Sequence, residues 1–216
     1  MRFPALVTLL RWLTVAVILR VLATIVANYP DYFPPDFDSL FLQGREETFA
    51  GTYRHAFYLH ILTAPIVLVL GLLLLSPTLL RRSPRTHRWL GRVHVLVLLG
   101  CVLPSSLVMS RHAFTGWTAG ISFVLLSIAT ATCAILGVVQ ARRRRFASHR
   151  RWMQRSYVLI CSAVVLRLIS GAIGLLEVSN AEAAYIVAAW GSWLVPLAVF
   201  ETAQTVHARS RMRRFV

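Results

Sequence analysis

The chain has 216 residues, 57% of them hydrophobic and 14% charged, with a mean hydropathy of +0.65. That composition excludes an ordinary soluble domain and places the chain in the membrane class. Its formal net charge of +15 is confined to short segments between apolar runs, so there is no soluble basic domain to set on nucleic acid.

All 23 basic residues other than histidine are arginine. Seventeen of them collect at residue 2, at residues 81–92, at residues 142–155 and at Arg209, Arg211, Arg213 and Arg214. Asp31, Asp36, Asp38, Glu46, Glu47, Glu177 and Glu182 fall in the intervening segments. Basic residues mark the cytosolic side of a bilayer and attract anionic headgroups. The alternation predicts an all-α polytopic bundle of six spans in a membrane, with both termini cytosolic and one membrane domain over residues 1–216.

The first apolar run, residues 4–27 within an N-terminal segment 1–27, is interrupted by Arg11 and Arg20. No small-residue cleavage pattern precedes Asn28, so a retained helix is expected rather than a signal peptide. Residues 28–54 form the one sizeable polar segment. The run Tyr-Pro-Asp-Tyr-Phe-Pro-Pro-Asp-Phe-Asp at 29–38 predicts an extracytoplasmic loop, with a short amphipathic helix over residues 39–50.

The second span, residues 55–76, repeats His60, Ala64, Val67 and Gly71 on one narrow face. Small residues there admit a neighbouring helix or a flat ligand, and Pro65 is expected to bend the helix. The third span ends near Ser110 and carries His87, Gly91, His94, Leu98, Cys101 and Ser105 on one face, with His94 about two turns deeper than His87. The fourth, residues 116–140, has no ionisable group other than cysteine and reads as a packing helix. In the fifth, residues 152–176, a polar face passes through His149, Met153, Ser156, Ile160, Ala163, Arg167 and Gly174. An arginine inside a span costs about 2.5–3.5 kcal/mol on insertion scales, so Arg167 is expected to point into the bundle, toward the His60 end of the second span, and to line a small polar pocket. The sixth span, residues 183–207, holds Trp190, Trp193, Pro196 and Glu201, with Glu201 within reach of the cytosolic arginines. A basic tail covers residues 208–216. Cys101, Cys133 and Cys161 are single, without CxxC or haem-attachment spacing.

Two arginine-rich turns resemble each other. With one gap, His87, Arg88, Trp89, Arg92, His94, Val95 and Leu96 fall on His149, Arg150, Trp152, Arg155, Tyr157, Val158 and Leu159. This predicts a four-helix core, residues 55–176, made of two duplicated hairpins related by an axis along the membrane normal. The first and sixth spans would be peripheral additions.

His60 with Gly71, the HRWLGR run at His87–Arg92, the HRRWMQRSY run at His149–Tyr157 and the later Arg167 resemble the bacterial predicted membrane protein family known as domain of unknown function 2306, over residues 55–175. The resemblance implies a membrane bundle without an assigned activity. It also implies tyrosine more often than histidine at the position of His94, in agreement with the internal alignment to Tyr157.

Two functions compete. The first is a non-enzymatic module that binds lipid, a small molecule or a partner membrane protein, or moves a solute. In it Arg88, Gly91, Arg92, Arg150, Trp152, Arg155 and Arg167 are structural and the arginine-rich face meets anionic headgroups. The second is a b-type haem protein exchanging electrons with a quinone, for which His60, His87, His94 and His149 are the candidate axial or ligand-binding residues. No metal or catalytic motif is present, and no feature specifies a homo-oligomer. The balance favours the non-enzymatic module.

Overall fold

The computed structural model describes residues 3–39, 41–176 and 178–212. Arg2, Glu177, Arg213 and Arg214, which entered the charge pattern, lie outside the described residues. The chain divides into two units, Met1–Ala50 and Gly51–Val216.

The first unit opens with α1, Phe3–Ala27, followed by one 3-10 turn at Tyr29–Asp31. The described residues of the 39–50 segment form turns rather than the expected amphipathic helix. Gly44 interrupts them at a φ of 71°, a conformation that no continuing helix uses. Aromatic edges order the loop: Phe37 meets Phe49 at 5.7 Å and Tyr32 meets Phe41 at 6.3 Å. The Arg45 guanidinium lies over the Phe41 ring at 5.3 Å.

The second unit is an up-and-down bundle, and no strand occurs among the described residues. Its helices are α2 Gly51–Leu74, α3 Pro77–Arg82, α4 Pro84–Val97, α5 Leu103–Ser110, α6 Trp117–Arg142, α7 Phe146–Ile160, α8 Ser162–Leu175 and α9 Ala181–Met212. A π-helical segment, Leu98–Val102, joins α4 to α5, and Cys161 separates α7 from α8. With α1, six helical stretches are long and apolar enough to cross a membrane: Ala5–Asp31, Gly51–Leu74, Pro84–Ser110, Trp117–Arg142, Phe146–Leu175 and Ala181–Val206.

Apolar periodicity located every span, but the arginine-rich segments are more helical than expected. α7 begins at Phe146, so His149, Arg150 and Arg151 ride on a helix rather than in a turn. α9 continues to Met212, drawing the start of the basic tail into the helix.

α2 packs against α4, α5 and α7, whereas α6 packs against α5, α7 and α9. α9 also packs on α7 and α8 and buries Ala188, Ala189, Ser192 and Trp193. The sixth span is therefore part of the bundle core, not an addition at its rim. The reason is its small-residue face: Ala188, Ala189 and Ser192 let the α6 and α9 backbones approach closely enough for side-chain-to-backbone bonds.

Candidate functional site

Deep in the bundle, three helices meet at Gly71. A Cβ at this position would stand 2.5 Å from Tyr157 Cε2 on α7 and 3.2 Å from His94 Cε1 on α4, so only glycine lets both rings lie against the α2 backbone. The Tyr157 hydroxyl donates to the Leu68 carbonyl at 3.2 Å. His94 is 2% exposed and hydrogen-bonds the backbone at Val67, leaving Nδ1 buried without a partner. The small-residue face of the second span thus admits protein: the space where a flat ligand could approach Gly71 is filled by the Tyr157 phenol. His94 and Tyr157, equivalent in the internal alignment, share that one glycine.

A second polar cluster sits three turns away. His60 Nδ1 lies 3.2 Å from Ser105 Oγ and 3.3 Å from Ser106 Oγ. Ser105 directs its hydroxyl to the Cys101 and Val102 carbonyls at 2.7 and 3.0 Å, and Ser106 directs its own to Val102 at 2.6 Å. Each hydroxyl has one proton, so both serines accept from His60 and Nδ1–H is the donor. The carbonyls belong to the π-helical segment and precede Pro104, which has no N–H to offer the helix.

Arg167 lies within electrostatic reach of His60, but it is exposed and donates to the Ala163 carbonyl one turn back on α8 at 3.2 Å. The expectation that the bundle would enclose it is corrected by the break at Cys161. Up to that break the polar face of the fifth span turns toward α6. There His149 Nδ1 donates to the Gly137 carbonyl at 2.9 Å, Met153 covers Gly137 and Ser156 donates to the Thr130 carbonyl at 3.3 Å. Beyond it, Ala163, Arg167, Gly171 and Gly174 are all exposed.

The two arginine-rich turns share one end of the bundle, since His87 on α4 is within electrostatic reach of His149 on α7. They are not copies. The second is a tight connection through Arg143–Arg145, with Arg144 at a φ of 58°; the first contains α3, capped by Ser76 accepting from Leu79 N at 3.4 Å. His149 therefore reaches the carbonyl end of the preceding helix, whereas His87 Nδ1 and Gln140 Oε1 remain buried without partners. Gly91 faces the end of α2, where an added Cβ would stand 4.0 Å from Leu74 Cδ2. Arg85, Arg88, Trp89 and Arg92 line an open cleft of about 520 Å³.

At the α7–α9 seam Arg155 grips Glu201 with two bonds, Nε to Oε1 at 2.5 Å and Nη2 to Oε2 at 2.8 Å. Its guanidinium also lies 4.8 Å from the Trp152 ring centroid. Nearby, Trp193 Nε1 donates to Ser122 Oγ at 2.9 Å, and that hydroxyl donates to the Ala189 carbonyl at 2.9 Å. Sequence reasoning placed Glu201 near arginines without choosing Arg155, and it gave no role to Ser122 or Ser106. Uncharged hydroxyls in apolar spans leave no periodic trace.

The four histidines proposed as haem or ligand contacts thus fall at three levels, with only His87 and His149 near each other. His60 is level with Ser105, eleven residues from His94 along the same span and about 16 Å away at 1.5 Å per residue, so these two do not oppose each other across one iron. His87 and His149 lie at the arginine-rich end. Among the described residues no group of three or more His, Cys, Asp or Glu side chains is placed to hold a metal ion.

Comparison with curated proteins and with solved structures finds no match. A family profile described as a predicted membrane protein matches residues 57–203, reaching past the four-helix core into α9, in keeping with the integration of that helix. The chain belongs to the DUF2306 family of predicted membrane proteins.

Proposed function

We propose that this chain is a non-enzymatic membrane binding module, set in a bacterial plasma membrane with its arginine-rich end in the cytosol, where that end binds anionic lipid headgroups. The observation that carries this reading is a division of polar groups. Inside the spans they join helices: His60 to the serines of α5, Tyr157 to α2, Trp193 to Ser122 and Arg155 to Glu201. At the turns, the arginines from Arg81 to Arg92 and from Arg142 to Arg151 make no ion pair among the described residues. Exposed guanidiniums without carboxylate partners are free to take phosphate oxygens in bidentate geometry. The serine–histidine contact is not a nucleophile and base, because both hydroxyl protons already point at backbone carbonyls.

Two measurements test this. Reporter fusions at Gln43 and Val216 should report opposite sides of the membrane, with Val216 in the cytosol; the same side for both would remove the proposed topology. The purified protein should melt higher in vesicles containing anionic phospholipid than in zwitterionic ones, and the gain should shrink as salt shortens the Debye length from about 10 Å at 0.1 M to about 3 Å at 1 M. Equal melting in both lipids would overturn the headgroup-binding reading, and a haem absorption band in the same preparation would favour the electron-transfer alternative.

A further inference from the structure

We propose that Arg85, Arg88, Trp89 and Arg92 form a discrete site for a phospholipid carrying two phosphate groups. The inference rests on the headgroup-binding reading above and narrows it to one place and one ligand class.

The four residues, all exposed on one helix, line a single open surface groove of about 520 Å³. Positions 85, 88 and 92 follow the i, i+3, i+7 spacing, so they share one face of α4, and the first and last are about 10 Å apart along its axis. Neighbouring guanidiniums one turn apart can clamp one phosphate between them. The third, two turns from the first, is then left for a second phosphate at a distance that one headgroup phosphorus cannot span. Arginine is suited to this role, because its planar fork binds phosphate through two parallel hydrogen bonds.

The surroundings decide between a lipid and a soluble anion. Trp89 is 63% exposed, and Leu96, one turn beyond Arg92 on the same face, is 73% exposed. The cleft therefore passes directly into an apolar surface along the third span. A tryptophan at that junction is the usual marker of headgroup level. A free phosphate would use the arginines and leave this stripe unused, whereas a lipid uses both, with its phosphates in the cleft and an acyl chain along Trp89 and Leu96. The second arginine turn does not reproduce this arrangement: Arg143–Arg145 are consecutive in a tight connection, with Arg144 at a φ of 58°, and Arg155, the counterpart of Arg92 in the internal alignment, is paired with Glu201.

The test is a titration of the full-length protein in neutral detergent with diphosphatidylglycerol, phosphatidylglycerol and inorganic pyrophosphate. It is read by melting temperature and by native mass spectrometry. The wild type should bind one diphosphatidylglycerol per chain, about tenfold or more tighter than phosphatidylglycerol, a difference of about 1.4 kcal/mol, and should not respond to pyrophosphate. The triple variant Arg85→Gln, Arg88→Gln, Arg92→Gln should lose that preference. The control Arg143→Gln, Arg144→Gln, Arg145→Gln should keep it while weakening the general response to anionic lipid. A preference unchanged in the first triple variant, or wild-type stabilisation by pyrophosphate equal to that by lipid, overturns the site. If the first triple variant does not fold, the wild-type titration still decides, since equal affinity for the one- and two-phosphate lipids defeats the proposal. No response of the wild type to any anionic lipid would instead defeat the broader headgroup reading.

Discussion

Gly71→Ala is expected to lower the melting temperature of the protein in mild detergent, and Gly71→Leu to lower it much further or prevent folding. The sign is informative, because alanine is favoured over glycine inside a helix by about 1 kcal/mol and an open helical glycine should gain from the change. At Gly71 the new Cβ meets the Tyr157 ring and then His94 Cε1. Tyr157 cannot yield without stretching its bond to the Leu68 carbonyl, and the ring is held in a buried site. Overpacking of this kind costs about 1–3 kcal/mol, and the lost hydrogen bond adds about 1 kcal/mol. Gly100 supplies the control: nothing lies within 4 Å of a Cβ built there, so Gly100→Ala should be neutral or stabilising. Trimming the obstacle should rescue the variant, since Tyr157→Ala removes the ring that the new methyl meets. The Gly71→Ala and Tyr157→Ala changes should therefore be strongly non-additive, by about 0.5–3 kcal/mol. Equal effects of alanine at Gly71 and Gly100 would show that the two rings do not rest on α2.

What could be read from the sequence follows from the range of each interaction. Six spans were legible because burial in hydrocarbon imposes a local, continuous apolar signal. The His60, Ala64, Val67 and Gly71 stripe showed that something comes close to α2, since small residues at helical spacing are a local property. The occupants did not show. His94 and Tyr157 reach Gly71 from helices that begin 13 and 75 residues after it, and nothing in the spacing of one helix names the side chain that fills its groove. The alignment of His94 with Tyr157 carried a trace of this, as two equivalent positions converge on a single glycine. Arg167 was expected inside the bundle because hydrocarbon offers a guanidinium no acceptor; it does lie within reach of His60, but it is exposed and finds its acceptor in the Ala163 carbonyl of its own helix, beyond an interruption at Cys161 that no proline or glycine announces. The sixth span was read as peripheral because it lies outside the duplicated motifs, although its alanine and serine face is what seats it against α6.

Breaking the Arg155–Glu201 pair should loosen the α7–α9 seam by about 1.5–3 kcal/mol, the range for a hydrogen-bonded charged group. The pair is bidentate, and its side chains are 23% and 42% exposed, so neither the full cost of a buried ion pair nor the near-zero value of a surface one applies. Glu201→Gln leaves the guanidinium with the Trp152 face, worth about 0.5–2 kcal/mol as a cation–π contact; Arg155→Gln leaves a carboxylate with no cation. The second change should therefore be the more damaging. The double variant Arg155→Gln, Glu201→Gln should recover part of the loss, because neither charge is then stranded. A thermal-denaturation cycle over the four proteins measures the coupling directly. Salt separates this lock from the headgroup interaction: a partly buried, two-bond pair is screened far less than exposed arginines. The coupling should therefore persist at salt concentrations that abolish the gain from anionic lipid. A coupling energy near zero would mean that the two side chains meet without holding α9 to α7, and α9 would then be held by the packing of Trp193 on Leu159 of α7 and by its bond to Ser122 of α6.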